Sequence, residues 1–135
     1  MNCPFCDDLE KQETLVHKTK YSQVAINLHS LKKGHLMVMP LRHVEKYNDL
    51  TQEEAKDMFD LVEIFSEIIK KTYGDYPIIT INPINGRSLP HLHIHLVPTK
   101  INTRSYISLT DKVPEREELT KEEIIEIKNK INKFL

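Results

Sequence analysis

Only three glycines, Gly34, Gly74 and Gly86, occur in 135 residues. The dinucleotide and mononucleotide phosphate loops need several glycines at fixed spacing so that backbone can approach phosphate, and this chain has no stretch that supplies them. An anion bound here is therefore held largely by side chains and a few backbone amides. Excess charge is also missing. Nineteen Lys and Arg stand against twenty Asp and Glu, a formal net charge of −1, so no basic field points to a nucleic acid or a membrane surface. Apolar runs are short, and no Lys/Arg-led hydrophobic segment opens the chain. Neither a signal peptide nor a transmembrane helix is expected, and a cytoplasmic protein is the default. Repeats, low-complexity tracts and dividing linkers are absent, which predicts a single domain over residues 1–135. A chain of this length can bury its core without disulfides, so its two cysteines call for another explanation.

Alternation and helical spacing organise the rest. Leu15–Lys18 and Tyr21–Asn27 read as two short strands, and His35–Met39 as a third that Pro40 stops. Thr51-Gln52-Glu53-Glu54 is a capping box. The helix it opens runs to about Thr72, with Met58, Leu61, Val62, Phe65, Ile68 and Ile69 as one apolar stripe. Gly74 can terminate it. Pro77–Asn82 reads as a fourth strand, and a polar loop leads to a fifth over His91–Val97. After a long irregular stretch, Thr120-Lys121-Glu122-Glu123 caps a second helix carrying Ile124, Ile127, Ile131 and Phe134 on one face. Short connections favour antiparallel neighbours. The expectation is an α+β fold: a five-stranded antiparallel sheet, one face under the long helix and the other carrying histidines, plus a C-terminal helix packed at the sheet edge or on a partner.

The fifth strand holds the most informative residues. In His91-Leu92-His93-Ile94-His95-Leu96 the period is two, so three imidazoles share one face, roughly 6.5–7 Å apart, and three aliphatic side chains share the other. A sheet has no packing need for such a row, because imidazoles charge near neutral pH. Residues spaced this widely on one strand do not converge on one metal ion without a bend. Serial action on an extended anion fits better, with one ring attacking phosphorus and another donating to its oxygens. Neutral imidazole is a good nucleophile and, once phosphorylated, a good leaving group. Its other nitrogen must then be held by an acceptor.

Cys3-Pro4-Phe5-Cys6 admits three readings: a redox pair, half of a tetrahedral zinc site, or two unrelated thiols. A thioredoxin-like pair opens a helix after a strand, and no strand precedes residue 3. Two histidines would complete a zinc site.

Taken together, the chain resembles the histidine triad (HIT) nucleotide hydrolases and transferases. The likeness rests on His91-Leu92-His93-Ile94-His95-Leu96-Val97 and on Gly34-His35-Leu36-Met37-Val38-Met39-Pro40-Leu41-Arg42-His43, and it covers roughly residues 1–100. The resemblance implies a five-stranded sheet that dimerises into ten strands. It implies His93 as the nucleophile, His95 as a donor to the α-phosphate and His35 as support behind them. Asn27 falls at the ribose, and Asn82 and Ser88 fall near phosphate and leaving group. Arg87 stands where the family commonly has Gln, an added cation that would favour a longer polyphosphate. The resemblance also implies zinc held by Cys3, Cys6, His43 and His91. Dinucleoside polyphosphates and nucleoside phosphoramidates are the substrate classes it brings, the former favoured by Pro40-Leu41-Arg42-His43-Val44-Glu45. His17 and His29 receive no role. The alternatives are a non-catalytic nucleotide-binding scaffold and a small zinc protein whose histidines are all ligands. A homodimer is expected, because Phe59 and Ile64 lie off the long helix's apolar stripe. No nucleic-acid or membrane partner is expected.

Overall fold

The computed structural model describes residues 3–102, 105 and 117–135. Strands β1 (Leu15–Lys18), β2 (Ser22–Ile26), β4 (Leu36–Pro40), β5 (Pro77–Thr80) and β6 (Ile94–Pro98) form one antiparallel sheet in the order β1-β2-β4-β6-β5. The long helix α1 spans Gln52–Tyr73 and the second helix, α2, spans Lys121–Asn132. The predicted α+β architecture is thus present. Both capping boxes close as read, with Thr51 accepting from the Glu54 amide and Thr120 from the Glu123 amide. Gly74 ends α1 in the left-handed region at φ 87°, a conformation that costs glycine nothing. Among the described residues, no helix is long and apolar enough to cross a membrane.

The apolar stripe of α1 covers one face of the sheet. Met58, Leu61, Phe65 and Ile69 pack against Val24, Ile26, Leu36, Val38, Ile94 and Leu96. Each such side chain contributes roughly 1.5–3 kcal/mol when fully buried. Ile124, Ile127 and Ile131 of α2 join the same core, whereas Phe134 stays exposed beyond the helix end. The C-terminal helix therefore packs within the chain.

Two sequence expectations need correction, and one strand pairing carries no sequence signal. The opposite face of the sheet is not an open histidine surface, because Cys3, Phe5 and Leu9 of the N-terminal segment close over Ala25, Met37 and Met39 as a second apolar cluster. With both faces covered, β2 and β4 are buried at every position. Next, the histidine strand begins at Ile94. His91 and His93 precede it in irregular backbone, and only His95 is in the ladder. Finally, β3 (His29–Ser30) and β7 (Glu117–Glu118) form a separate antiparallel ribbon, too short to leave a period in the sequence. The irregular stretch expected before Thr120 falls mostly outside the described residues.

Candidate active site and metal cluster

Register carries His95 to the face beneath the N-terminal segment. Leu15 pairs with Ala25, Ala25 with Met37, Met37 with His95, and His95 with Thr80. Ala25, Met37 and His95 of that row line a cleft of about 290 Å³. Phe5, Leu9, Ile26 and Leu28 give it apolar walls, while Asn27, Asn82, Ser88, His93 and His95 supply polar groups. A mostly apolar cleft with a few convergent polar groups is the usual form of a small-molecule site. His29, given no role from the sequence, also lines it.

Backbone acceptors and donors decide where the ring protons sit. His93 Nδ1 lies 2.7 Å from the His91 carbonyl oxygen, which can only accept. A proton is therefore on Nδ1, and in the neutral ring Nε2 carries the lone pair. The Leu31 amide donates to His35 Nδ1 at 3.1 Å, leaving the His35 proton on Nε2. That nitrogen donates to His95 Nδ1 at 2.8 Å, so the proton of neutral His95 is on its Nε2. With its Nε2 already a donor, His35 offers nothing to the Asn27 amide nitrogen 3.4 Å away. Asn27 is oriented instead by the His29 amide, which donates to its Oδ1 at 3.1 Å. The rings of His93 and His95 meet edge to face, 4.8 Å between centroids. One ring presents a lone pair and its neighbour a proton, a combination suited to attack on phosphorus and stabilisation of its oxygens. The rings of Phe5 and His93 pack edge to face with centroids 5.1 Å apart, a contact with no sequence signal beyond its place in the Cys-x-x-Cys segment.

His91 faces elsewhere. Its Nε2 donates to the Pro40 carbonyl at 2.8 Å, which turns the Nδ1 lone pair toward Cys3 and Cys6 Sγ at 3.6 and 3.4 Å. Cys6 Sγ is 3.2 Å from His43 Nδ1, and the ligand atoms of all four residues lie within 4.8 Å of one another. A tetrahedral zinc ion with bonds of roughly 2.0–2.3 Å spaces sulfur and nitrogen ligands about 3.5 Å apart, so the donor set and its spacing fit such an ion. A ligand imidazole whose second nitrogen is held by a carbonyl is the ordinary arrangement. Burial pushes His91 below its usual value despite the Pro40 bond, which favours the neutral, ligating form. Partial desolvation and the adjacent Cys3 thiol push the Cys6 thiol up, an effect that a cation between the sulfurs would reverse.

The structure thus brings His93, His95, Asn27, Asn82 and Ser88 around one cleft, with His35 buried behind His95, and Cys3, Cys6, His43 and His91 into one cluster. Arg87 stands apart. Its Nε donates to the Asn82 carbonyl at 2.9 Å and its Nη1 to the Glu45 carbonyl, and it is absent from the cleft lining.

Residues 8–102 match the family model described as HIT domain. The chain belongs to the HIT family. Bis(5'-adenosyl)-triphosphatase of Saccharomyces cerevisiae is 37% identical over 95 residues, 67% of this chain and 46% of that protein. The chain therefore spans about half the length of this curated relative. Among solved structures, a histidine triad nucleotide-binding protein from Sulfolobus tokodaii superposes with a TM-score of 0.75 at 18% identity, covering 97% of this chain and 90% of that one. A Zn-bound histidine triad family protein from Mycobacterium smegmatis gives 0.73 at 16% identity, over 98% and 95%. At these identities the superpositions speak for the HIT fold alone.

Proposed function

We propose that this HIT protein is a nucleotide hydrolase or nucleotidyl transferase that cleaves at the α-phosphorus through a covalent nucleotidyl-His93. The observation that carries the reading is the 2.7 Å bond from His93 Nδ1–H to the His91 carbonyl, which leaves Nε2 as the nucleophilic nitrogen. In the first step Nε2 bonds to the α-phosphorus while the bond from phosphorus to the leaving group breaks, and the leaving atom takes the electron pair. In the second, water attacks phosphorus, the N–P bond breaks, its electrons return to Nε2, and the water proton passes to solvent. A phosphate acceptor in place of water gives transfer. His95 Nε2–H stabilises the non-bridging oxygens and assists departure, held in that tautomer by His35. The apolar walls accept a nucleoside base, Asn27 meets the ribose hydroxyls, and Asn82 and Ser88 lie toward phosphate and leaving group.

Dinucleoside polyphosphates are the favoured substrate class, in line with the name of the yeast relative, and nucleoside phosphoramidates are the second. Mixing the protein with a diadenosine polyphosphate, quenching in denaturant and weighing the intact chain tests the mechanism. An adenylyl adduct on wild type, absent from His93→Ala, is expected. Turnover with no adduct at any quench time would mean direct attack by water.

Zinc is the metal we propose for Cys3, Cys6, His43 and His91. Four protein ligands close the coordination sphere, so its role is structural: it ties the N-terminal segment to the residue two before the nucleophile. Elemental analysis should give close to one zinc per chain. Cys3→Ser should lower both metal content and melting temperature. Reduced protein that is metal-free and equally stable would refute the assignment.

A further inference from the structure

Residues 40–45, from the last residue of β4 toward α1, support the histidine row by several bonds at once. The Pro40 carbonyl accepts from His91 Nε2, and the Val44 carbonyl accepts from the Leu92 amide at 2.7 Å. His43 belongs to the metal cluster, and the Glu45 carbonyl accepts from Arg87. Arg42, in the middle of this turn, reaches the head of α1. Its Nε and Nη2 meet the two carboxylate oxygens of Glu54 at 3.1 and 2.8 Å, and Nη2 also donates to the Asp49 carbonyl at 3.0 Å. Glu54 is only 4% exposed, and one of its oxygens also takes the Thr51 amide at 2.9 Å.

Helix capping does not account for this. A capping box is satisfied by Gln as well as Glu at its third position, and an ion pair whose guanidinium is half exposed contributes only modest stability. What a forked, two-bond guanidinium–carboxylate contact adds is orientation in a plane, which neither Lys nor a neutral amide reproduces.

We infer that Arg42 and Glu54 are positioning residues, clamping the 40–45 turn to α1 and through it fixing the ring of His91. His91 in turn supplies the carbonyl that sets the tautomer of His93, so the clamp acts on nucleophile and metal cluster together. The catalytic part rests on the function proposed above; the effect on the His91 ring does not.

Three variants of the full chain separate the roles. Glu54→Gln keeps the cap and removes the charge. Arg42→Lys keeps the charge and removes the fork. Thr51→Ala removes the cap's side-chain acceptor and keeps the clamp. In protein carrying 15N-labelled histidine, solvent exchange of the His91 ring Nε2–H reads the Pro40 bond directly. It should quicken about 10- to 100-fold in Glu54→Gln and Arg42→Lys, the scale on which changes behind a metal ligand act. Zinc release to a chelator should quicken similarly, and kcat should fall with little change in KM. Thr51→Ala should lose melting temperature without changing either rate. Exchange in Glu54→Gln as slow as in wild type, or equally fast in Thr51→Ala, would overturn the clamp. Wild type that holds no zinc and forms no adduct, yet shows the predicted exchange pattern, would refute the proposed function while sustaining the clamp.

Discussion

At His93 a single backbone carbonyl decides which nitrogen of the neutral ring holds the proton, and that acceptor belongs to His91, whose ring is held by Pro40. His93→Ala should lower turnover by at least about 10³-fold while leaving nucleotide affinity within about an order of magnitude. In the proposed mechanism His95→Ala removes an assisting donor rather than the bond-forming atom, so about 10²- to 10⁴-fold is expected. Steady-state rates and equilibrium binding of a non-hydrolysable analogue check both. Gly34 poses a different single-residue constraint. Its φ is +89°, and a Cβ there would lie 2.5 Å from Tyr73 Cε2. Gly34→Ala should therefore cost about 1–3 kcal/mol in urea denaturation. A loss below a few tenths would show that the α1 terminus yields to the methyl group. The residue types at 91, 93 and 95 were legible in the sequence as a reactive row. Which nitrogen of each ring holds the proton was not, because that depends on the carbonyl, amide or neighbouring ring that each one meets.

Among the elements, α1 was the most legible, since its cap, stripe and terminator are all local patterns. The Glu54 contact to Arg42 was invisible, because a Glu at the third position already had a sufficient explanation in the capping box. Arg42 is the main cause, together with the Thr51 amide, that holds the Glu54 carboxyl at about 2 against an ordinary 4.5. A depressed carboxyl stabilises the fold above its unfolded value and loses that contribution as pH falls through the folded one. Stability from this group should thus be constant from neutrality to about pH 4.5 and drain away toward pH 2. Its size is on the order of 1–2 kcal/mol, since water around the half-exposed guanidinium screens the pair. Denaturant melts of wild type and Glu54→Gln at stepped pH check this. The difference between them should shrink below pH 4.5, and a difference that stays constant to pH 2.5 would remove Glu54 from the acid response.

For the whole molecule, β5 forms one edge of the sheet, and Ile79 and Ile81 are exposed on or beside it, as Phe59 and Ile64 are on α1. An open edge flanked by aliphatic side chains invites pairing. Light scattering at micromolar concentration should therefore give a twofold assembly near twice the 15.8 kDa chain, and Ile79→Lys should shift it toward monomer. A mass that remains monomeric would show that this edge needs no partner.

The sequence by itself determined the elements whose signals are local: the capped helices, strands of period two, the stop at Pro40 and the presence of a histidine row. Periodicity and capping are properties of neighbouring residues, so they survive in one dimension. Only the tertiary structure decided that the N-terminal segment covers the histidine face, that β3 and β7 pair, and that Arg42 reaches Glu54. It also decided that the His91 ring is held by the Pro40 carbonyl. Each of these depends on groups far apart in the chain meeting at hydrogen-bond distance, with buried donors and acceptors satisfied by whatever partner the fold delivers.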